Sequence, residues 1–394
     1  MMMSRKKKLK RGSDALLRVD LLCTGLDRIR RGYESFAREC FDAFRNDGKI
    51  DIRLYKGSGA RAEKERSLFC FSRNAAFSKI AGTMTGRSAY HVEQLTFLIS
   101  YLFGPGRSDP AHIIFTSDAN LANFLSRWRR RTETRYKILY SNGGPILPPF
   151  PEYDHVQQVA LPYFEMAMAA AEPATKHSLV PYGIHVPEHL VVGRFPDTEE
   201  CRAKLGLPRG RQILLSVGYV SAHHKRMDYV VREVAQMAAE KRPFVVLVGQ
   251  QDNSTVEIRT LAESLLGEGN YRIDSVPYSA MSDFYGSADV FVLASLKEGF
   301  GRVLLEASSY GLPCLVDDNA VMRYVLGKSG FYADLRQKGG LAGLLSSVLS
   351  NRSTHAEKCE RVADVRARFG WSNLKSDYLR MFQKTMRAAP SYAT

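Results

Sequence analysis

The sequence predicts an α/β protein with two doubly wound, mostly parallel sheets, and three observations support this fold class. Short apolar runs that are typical of buried strands alternate with longer segments of helical periodicity. The alternation begins a second time near residue 212, after a stretch that contains several prolines. The chain has 394 residues, which is more than one apolar core usually supports. We therefore predict two Rossmann-like domains.

The first domain is predicted over residues 15–190. Its strands are expected at 16–24, 51–55, 111–116, 136–140 and 156–159, and its helices at 33–45, at 90–103 and from 118 to about 131. Asp118 has the right position to cap the last of these helices. Residues 178–183 are expected to close the domain.

The second domain is predicted over residues 191–370. Its strands are expected at 212–218, 244–248, 271–274 and 288–294, and its helices from residue 227 and at 257–266. Residues 183–208 form the expected connection between the domains because they combine several prolines with mixed charge. A final helix is expected at 372–386, within a last segment that spans 371–394.

The composition indicates a soluble, cytoplasmic protein. Apolar residues make up 45% of the chain and charged residues 25%, which is ordinary for a globular protein. The six cysteines have no C-x-x-C spacing, so buried, reduced thiols are favoured over disulfides or zinc ligands. No apolar run approaches the roughly 20 residues that span a bilayer. The basic N-terminus lacks the apolar region of a secretory signal.

The net charge of +15 is concentrated in two basic clusters, at 5–11 and at 127–131. One interpretation is a disordered, solvated tail over residues 1–14 together with cations that stabilise a helix C-terminus. The other is attraction to an anionic membrane surface at its inner face, or to a phosphorylated lipid or saccharide acceptor. Nucleic-acid binding is not favoured because no recognition motif accompanies the charge.

Residues 295–307, with the sequence SLKEGFGRVLLEA, carry the strongest functional signal. They follow the apolar run at 288–294, and helical spacing begins at Arg302. A strand, a glycine-rich turn and a helix start form an anion cradle, because free amides and the positive end of the helix dipole converge there. The carboxylates of Glu298 and Glu306 flank this cradle and are suited to bind hydroxyl groups rather than phosphates. The pattern therefore predicts a site for a sugar nucleotide.

These residues resemble the retaining glycosyltransferases of family 4, which have the GT-B fold. The signature of that family is a pair of glutamates separated by seven residues, here Glu298 and Glu306, in the pattern S-x-x-E-G-F-G-x-x-x-x-E-A. The resemblance extends from Phe284 to Phe331, whereas the first half of the chain agrees only in outline. It implies two domains that face a central cleft, with the segment at 371–394 crossing back onto the first domain.

The resemblance also implies a function. A hexosyltransferase of this family moves a sugar from a nucleoside-diphosphate sugar to a hydroxyl of a saccharide or lipid-linked acceptor, with retention of the anomeric configuration. Cell-envelope polysaccharide, lipopolysaccharide or glycolipid synthesis is the expected setting.

On the donor side, the resemblance assigns roles to individual residues. Lys225 matches a lysine that binds the donor diphosphate, and Tyr219 replaces an arginine of the family. Glu306 is expected to bind the ribose and Glu298 the transferred sugar, with Glu298 and Lys225 also acting in catalysis. The remaining diphosphate-binding residues are expected to be Arg226, Gly299, Phe300, Gly301 and Arg302.

The acceptor side is less defined. Gly25, Arg31 and Gly32 belong to the loop after the first strand, which is either part of the acceptor site or a structural turn. Asn142 takes the place of a family histidine and would act through its side chain or through neighbouring amides. His155 is a second catalytic candidate, with a core or rim position as the other interpretation.

No cofactor other than the donor substrate is predicted, and no metal is predicted because Asp-x-Asp occurs nowhere in the chain. Two other classes of function are considered. A nucleotide-sugar epimerase or hydrolase would keep the donor site but would need a further base. A noncatalytic nucleotide-sugar-binding protein would be expected to lose the charged donor residues, whereas Glu298, Glu306 and Lys225 are present.

Overall fold

The structure is a computed structural model, and it describes residues 16–29, 32–132, 134–144 and 146–389. The tail predicted over 1–14 and the acceptor candidate Arg31 lie outside the described residues.

The first sheet has the strand order β3-β2-β1-β4-β5-β6-β7, and all of its strands run parallel. These strands are β1 (Leu17–Cys23), β2 (Ile50–Lys56), β3 (Glu65–Ser67), β4 (Ile113–Thr116), β5 (Lys137–Asn142), β6 (His155–Gln158) and β7 (His177–Leu179). The helices in this part of the chain are α1 (Gly32–Phe44), α2 (Ala76–Met84), α3 (Ala89–Phe103), α4 (Pro105–Ser108), α5 (Ala119–Thr132), α6 (Leu161–Ala169) and α7 (Glu188–Val191).

The second sheet has the order β10-β9-β8-β11-β12-β13 and is also parallel throughout. Its strands are β8 (Ile213–Val217), β9 (Phe244–Val248), β10 (Tyr271–Asp274), β11 (Val290–Leu293), β12 (Cys314–Asp317) and β13 (Gly330–Ala333). The helices here are α8 (Thr198–Leu205), α9 (Met227–Ala235), α10 (Ser254–Leu266), α11 (Met281–Ser287), α12 (Arg302–Ser309), α13 (Ala320–Leu326), α14 (Gly340–Ser350), α15 (His355–Phe369) and α16 (Trp371–Arg387).

The central strands consist of continuous apolar runs because helices cover both faces of each sheet. Every residue of β9 and of β11 is buried. Such runs are the expected sequence of strands in a doubly wound sheet. The prediction of two parallel, Rossmann-like sheets is therefore confirmed. β3 and α2 were not predicted. β3 has only three residues, and α2 buries Ser78 and Gly82 while its large apolar residues are exposed.

The helix α16 crosses from the second domain to the first, as the resemblance implies. Phe369 and Trp371 pair with Ile184 through two backbone hydrogen bonds, which lie at the crossing. From there α16 packs its buried face against α1, β4, β5 and β6. Tyr378 donates its hydroxyl to the carbonyl of Pro181 at 2.9 Å. The last helix thus completes the core of the first domain.

An aromatic cluster joins the apolar cores of the two domains. The ring of Tyr182 stacks on Phe36 at 4.1 Å and meets the edge of Phe300 at 5.5 Å. Phe300 in turn contacts Phe369 at 5.7 Å, and Trp371 stacks on Phe36 at 6.1 Å. These contacts hold the carboxyl ends of both sheets towards each other.

None of the six cysteines, all of which lie in the described residues, forms a disulfide, and five of them are buried, as predicted. Within the described part of the chain, no helix combines the length and apolar character needed to cross a membrane.

Candidate active site

The strand order places the loops after β8 and β11 side by side. β9 and β10 lie on one side of this pair and β12 and β13 on the other, so the connections that leave β8 and β11 diverge. In doubly wound sheets a crevice opens at such a switch point, at the carboxyl ends of the strands. Lys225 belongs to the loop after β8, and Glu298 belongs to the loop after β11. Topology therefore brings together two residues that are far apart in sequence.

Lys225 and Glu298 form an ion pair in this crevice. The Lys225 Nζ donates to Glu298 Oε2 at 2.7 Å, and the two side chains are 14% and 13% exposed. An ammonium group has three N–H donors, of which this contact uses one. The pair can therefore bind a further anionic group without first separating.

Gly218 gives the Lys225 side chain room to reach this position. A Cβ at Gly218 would lie 2.9 to 3.0 Å from three carbons of the Lys225 stem, closer than normal packing allows. Gly218 also has φ +152°, a conformation that favours glycine. The glycine at the end of β8 therefore determines where the ammonium group lies.

The N-terminus of α12 supplies the predicted anion cradle. Gly301 precedes the helix with φ 76° in the left-handed region, and no side chain of the described residues caps the first turn. The first amides of α12 and the positive end of its dipole are therefore oriented towards an incoming anion.

Glu306 lies one turn further along α12 and is almost fully buried. Its Oε2 accepts a hydrogen bond from the Tyr285 hydroxyl at 2.8 Å, and its Oε1 lies 3.8 Å from Arg302 Nε. Burial raises the pKa of this carboxyl group above its ordinary value. A hydroxyl-bearing ligand would offer the carboxylate a second donor of the same kind as Tyr285.

The cleft between the domains has a volume of about 260 Å³. Its second-domain wall is made of the loop after β11. Its first-domain wall comes from the loop after β1, the start of α1 and the residues that follow β4 and β5. The lining residues are Leu22, Cys23, Thr24, Gly25, Gly32, Tyr33, Glu34, Tyr90, Ser117, Asp118, Gly143, Gly144, Tyr182, Glu298, Phe300, Gly301 and Arg302.

Comparison with known families identifies the second domain. The family model described as glycosyl transferases group 1 matches residues 197–365, which contain Lys225, Glu298 and Glu306. The second domain is called the group 1 domain below, after the family model that it matches. The match confirms the resemblance to glycosyltransferases that the two glutamates indicated, and retention of configuration stays a prediction.

Curated relatives agree with the family match. The chain is 28% identical over 205 residues to the D-inositol 3-phosphate glycosyltransferase of Thermobispora bispora. This alignment covers 48% of the present chain and 48% of the relative. The chain thus spans about half the length of the curated relatives it matches.

Solved structures extend the likeness to both domains. The sucrose-phosphate synthase of Thermosynechococcus elongatus superposes with a TM-score of 0.74 at 16% identity, covering 95% of this chain and all of the other. The Anabaena protein HepE, solved in complex with UDP and glucose, gives a TM-score of 0.70 at 12% identity and covers 93% of this chain and 99% of its own. At these identities the likeness establishes the GT-B fold alone.

Two cations predicted to bind the donor diphosphate contact other protein groups. The Arg302 Nη1 donates to the carbonyl of Gly183 at 2.6 Å, and Nη2 donates to the carboxylate of Glu39. The Arg226 Nη1 donates to the carbonyls of Ala294 and Leu335 at 3.3 and 2.9 Å. Arg302 thus connects the group 1 domain to the first domain, whereas Arg226 connects the loop after β8 to residues that follow β11 and β13. The role of both residues in diphosphate binding stays a prediction.

Some of the other residues that were predicted to bind the donor line the cleft. Gly301 and Phe300 line the cleft, but the Phe300 ring is 2% exposed and inserts into the aromatic cluster. Gly299 belongs to the same turn. Tyr219, which replaces a family arginine, donates its hydroxyl to the carboxylate of Asp252.

On the acceptor side, Gly25 and Gly32 line the cleft, in agreement with their predicted location. The Asn142 side chain holds the loop that follows β5: its Oδ1 accepts from the amide of Ile146 at 2.8 Å, and its Nδ2 donates to Gln158 at 2.9 Å. Gly143 and Gly144 line the cleft instead. Of the two modes expected for Asn142, the geometry favours the neighbouring amides.

The structure places His155 away from the cleft, which corrects its selection as a catalytic candidate. It begins β6, and the cleft lies at the opposite, carboxyl ends of the strands. The ring is fully buried, with Nε2 2.8 Å from the Ser178 hydroxyl. Burial, with a smaller effect from His177, lowers its pKa to about 4. His155 is the core histidine that the sequence offered as the other interpretation.

Sequence reasoning missed several first-domain residues at the cleft. Tyr33 accepts from the amide of Ser117 and donates to the carbonyl of Leu22, both at 3.0 Å, and so ties β1 to β4. Glu34 lines the cleft and is nearly fully buried. Asp118 does cap α5, through the amides of Asn120 and Leu121, but it also accepts from the Tyr90 hydroxyl. The adjacency of β1 and β4 was the signal that could have identified these residues.

Among the described residues, no three His, Cys, Asp or Glu side chains come together in a way that could hold a metal ion. Metal independence stays a prediction.

Proposed function

We propose that the protein transfers a glycosyl group from a nucleoside-diphosphate sugar to a hydroxyl of an acceptor, with retention of the anomeric configuration. The observation that carries the proposal is the Lys225–Glu298 ion pair beside the uncapped N-terminus of α12, at the switch point of a group 1 domain. This arrangement combines groups suited to phosphate and to sugar hydroxyls at a single point in the cleft.

In the proposed reaction, the bond between the anomeric carbon and the diphosphate oxygen breaks, and a bond to the acceptor oxygen forms on the same face. The acceptor hydroxyl loses its proton to the departing diphosphate. Negative charge grows on the diphosphate as it leaves, so the Lys225 ammonium group and the amides of α12 stabilise the transition state more than the bound donor.

The two glutamates have separate proposed roles. Glu298 accepts hydrogen bonds from hydroxyls of the transferred sugar, and its contact with Lys225 keeps its carboxylate in place. Glu306 accepts hydrogen bonds from the ribose, an interaction that an acidic residue also makes in dinucleotide sites. Tyr285 fixes the orientation of the Glu306 carboxylate before the donor binds.

The names of similar proteins support this function without defining the substrates. One relative is named as a D-inositol 3-phosphate glycosyltransferase, which is a sugar-transfer activity. One similar structure, that of HepE, was solved with UDP and glucose. We further propose that no metal is required and that the acceptor is a saccharide or a lipid-linked saccharide of cell-envelope synthesis. The reaction would take place in the cytoplasm, at the inner face of the membrane.

A thermal-shift screen against UDP, GDP, ADP and their sugars tests donor binding. A nucleotide at 100 times its dissociation constant should stabilise the protein by ~2.7 kcal/mol. Glu306→Ala should weaken that stabilisation because the ribose loses its acceptor. Glu357→Ala, which changes an exposed glutamate that caps α15, is the matched control and should keep the full nucleotide effect. The absence of any shift with the whole panel would contradict the proposal.

Product analysis tests the chemistry. NMR of the glycosylated product should give the same anomeric configuration as the donor, and EDTA should leave the rate unchanged. An inverted product, or activity lost with EDTA and restored by magnesium, would refute retention or metal independence respectively. An epimerised donor formed without acceptor would favour an epimerase instead.

A further inference from the structure

The short helix α2 has its apolar side towards solvent. Phe77, Ile80 and Met84 are 55%, 60% and 82% exposed. Their spacing of three and four residues places them on one face of the helix. The positions that α2 buries are the small residues Ser78 and Gly82. This is the reverse of a helix that packs on a protein core, which buries its large apolar residues.

The exposed apolar surface continues beyond the helix. Phe69 is 67% exposed, and its ring lies 5.1 Å from that of Phe71. The Phe71 ring lies 4.6 Å from that of Phe77. Phe69, Phe71, Phe77, Ile80 and Met84 are called the apolar patch below. Single exposed apolar residues are common, whereas a contiguous group of them indicates an interaction surface.

The charge around the apolar patch has one sign. Residues 66–92 contain Arg66, Arg73, Lys79 and Arg87 and no Asp or Glu. Lys79 and Arg87, which flank the exposed face of α2, are themselves exposed. Glu93, the next carboxylate along the chain, is buried and forms an ion pair with Arg73. The surface next to the apolar patch is therefore positive.

The apolar patch lies on the cleft side of the first domain. Phe69 follows β3 by two residues, so it is at the carboxyl edge of the first sheet, where the cleft opens. α3 follows α2 after a short connection, and Tyr90 in its first turn lines the cleft. A surface on which the apolar patch rests would therefore be close to the acceptor side of the cleft.

We propose that the apolar patch and its flanking cations dock on an anionic membrane surface. The large apolar side chains of α2 enter the boundary between headgroups and acyl chains, while Lys79 and Arg87 contact lipid phosphates. Charge complementarity favours this occupant over a second copy of the chain, because two positive surfaces would repel each other. The inference rests on exposed side chains and charge, and it is independent of the proposed transfer reaction.

Flotation with lipid vesicles tests the proposal on the full chain. Binding is expected to vesicles that contain phosphatidylglycerol and to be weaker to vesicles of phosphatidylcholine alone. The triple variant Phe77→Ser, Ile80→Ser, Met84→Ser should reduce the vesicle affinity by at least about tenfold, since it removes most of the apolar area that enters the membrane. The double variant Lys79→Glu, Arg87→Glu should lose the preference for phosphatidylglycerol.

Control variants distinguish the apolar patch from other regions of the chain. Val256→Ser changes an exposed apolar residue of α10 in the second domain and should leave vesicle binding unchanged. Circular dichroism and the melting temperature establish that each variant is folded. Deletion of residues 1–11 measures the separate contribution of the basic cluster.

Three results would overturn the proposal. The first is vesicle binding that the triple variant retains in full. The second is binding that depends only on residues 1–11. The third is the absence of flotation together with a concentration-dependent dimer that the triple variant abolishes, which would assign the apolar patch to a second copy of the chain.

Discussion

The Lys225 ammonium group is a cation on which the rate of the proposed reaction depends. It contacts Glu298, which lines the cleft together with Gly301 at the start of α12. Lys225→Met should lower kcat on the order of 10²-fold to 10³-fold, because the departing diphosphate loses a preorganised cation. Steady-state kinetics with the identified donor measure this effect. His224→Ala, an exposed change in the same loop, should have little effect on kcat, and near-normal turnover of the methionine variant would refute the assignment.

His155 should affect stability rather than turnover. Its pKa is lowered from 6.5 to about 4 by burial, so the neutral ring stabilises the fold above pH 6.5, and this contribution is lost as the pH falls towards 4. His155→Gln should reduce the pH dependence of the unfolding free energy between these values by about 3 kcal/mol. Denaturant titrations at several pH values measure the difference. A fall in kcat by orders of magnitude in a folded variant would instead indicate catalysis.

At the level of single residues, the sequence predicted the location of those that belong to a local motif, and their roles stay predictions. The motif around Glu298 and Glu306 is continuous along the chain, so both could be identified without the fold. The guanidinium groups of Arg226 and Arg302 belong to the same regions, but their partners include Leu335, Gly183 and Glu39, which are distant in sequence. Local pattern cannot reveal whether a cation is already bound by a distant carbonyl or carboxylate.

Among the structural elements, the loop after β8 depends on one glycine. A methyl group at Gly218 would collide with the Lys225 stem, and φ +152° disfavours any other residue. Gly218→Ala should therefore displace Lys225 and lower kcat by about a hundredfold, as a misplaced catalytic group does. Kinetics combined with thermal melting distinguish displacement from unfolding.

The matched control for this change is Gly343→Ala. Gly343 lies within α14, and a Cβ there would meet nothing within 4 Å. Because alanine favours helix more than glycine does, this variant should be slightly more stable and equally active. Equal activity of both alanine variants would show that the position of Lys225 does not depend on Gly218.

The elements that sequence predicted well are those whose burial matches their periodicity. β9 and β11 are continuous apolar runs, and α1 buries one apolar face. α2 was missed because its apolar residues face outward and its buried positions are small. Periodicity reports which face is apolar, but it cannot tell whether that face meets the protein core or another surface.

Across the whole molecule, Glu39 joins the two domains. Its carboxylate accepts from Arg302 of the group 1 domain, from the amide of His185 in the connection and from the indole of Trp371 at 3.1 Å. Glu39→Ala should lower the free energy of unfolding by about 3 kcal/mol, because the buried Arg302 loses the nearer of its two carboxylate partners, Glu39 and Glu306. Chemical denaturation measures this loss.

Glu200→Ala provides the control for that variant. Glu200 pairs with Lys204 on the surface, where ion pairs contribute little to stability. If both variants unfolded at the same denaturant concentration, Glu39 would not be a joint between the domains. Sequence could not identify this joint because Arg302 follows Glu39 by 263 positions, and only the fold brings the two residues together.

The return of α16 to the first domain has a consequence for biosynthesis. Tyr378 and Phe382 pack on Phe44, and Phe382 also packs on Phe115, yet they are translated after the entire second domain. Until the ribosome has synthesised the group 1 domain and α16, the first domain therefore exposes this aromatic surface to solvent. Chaperones that bind nascent chains would find their target there, and a ribosome stalled before Trp371 would leave a product prone to aggregation.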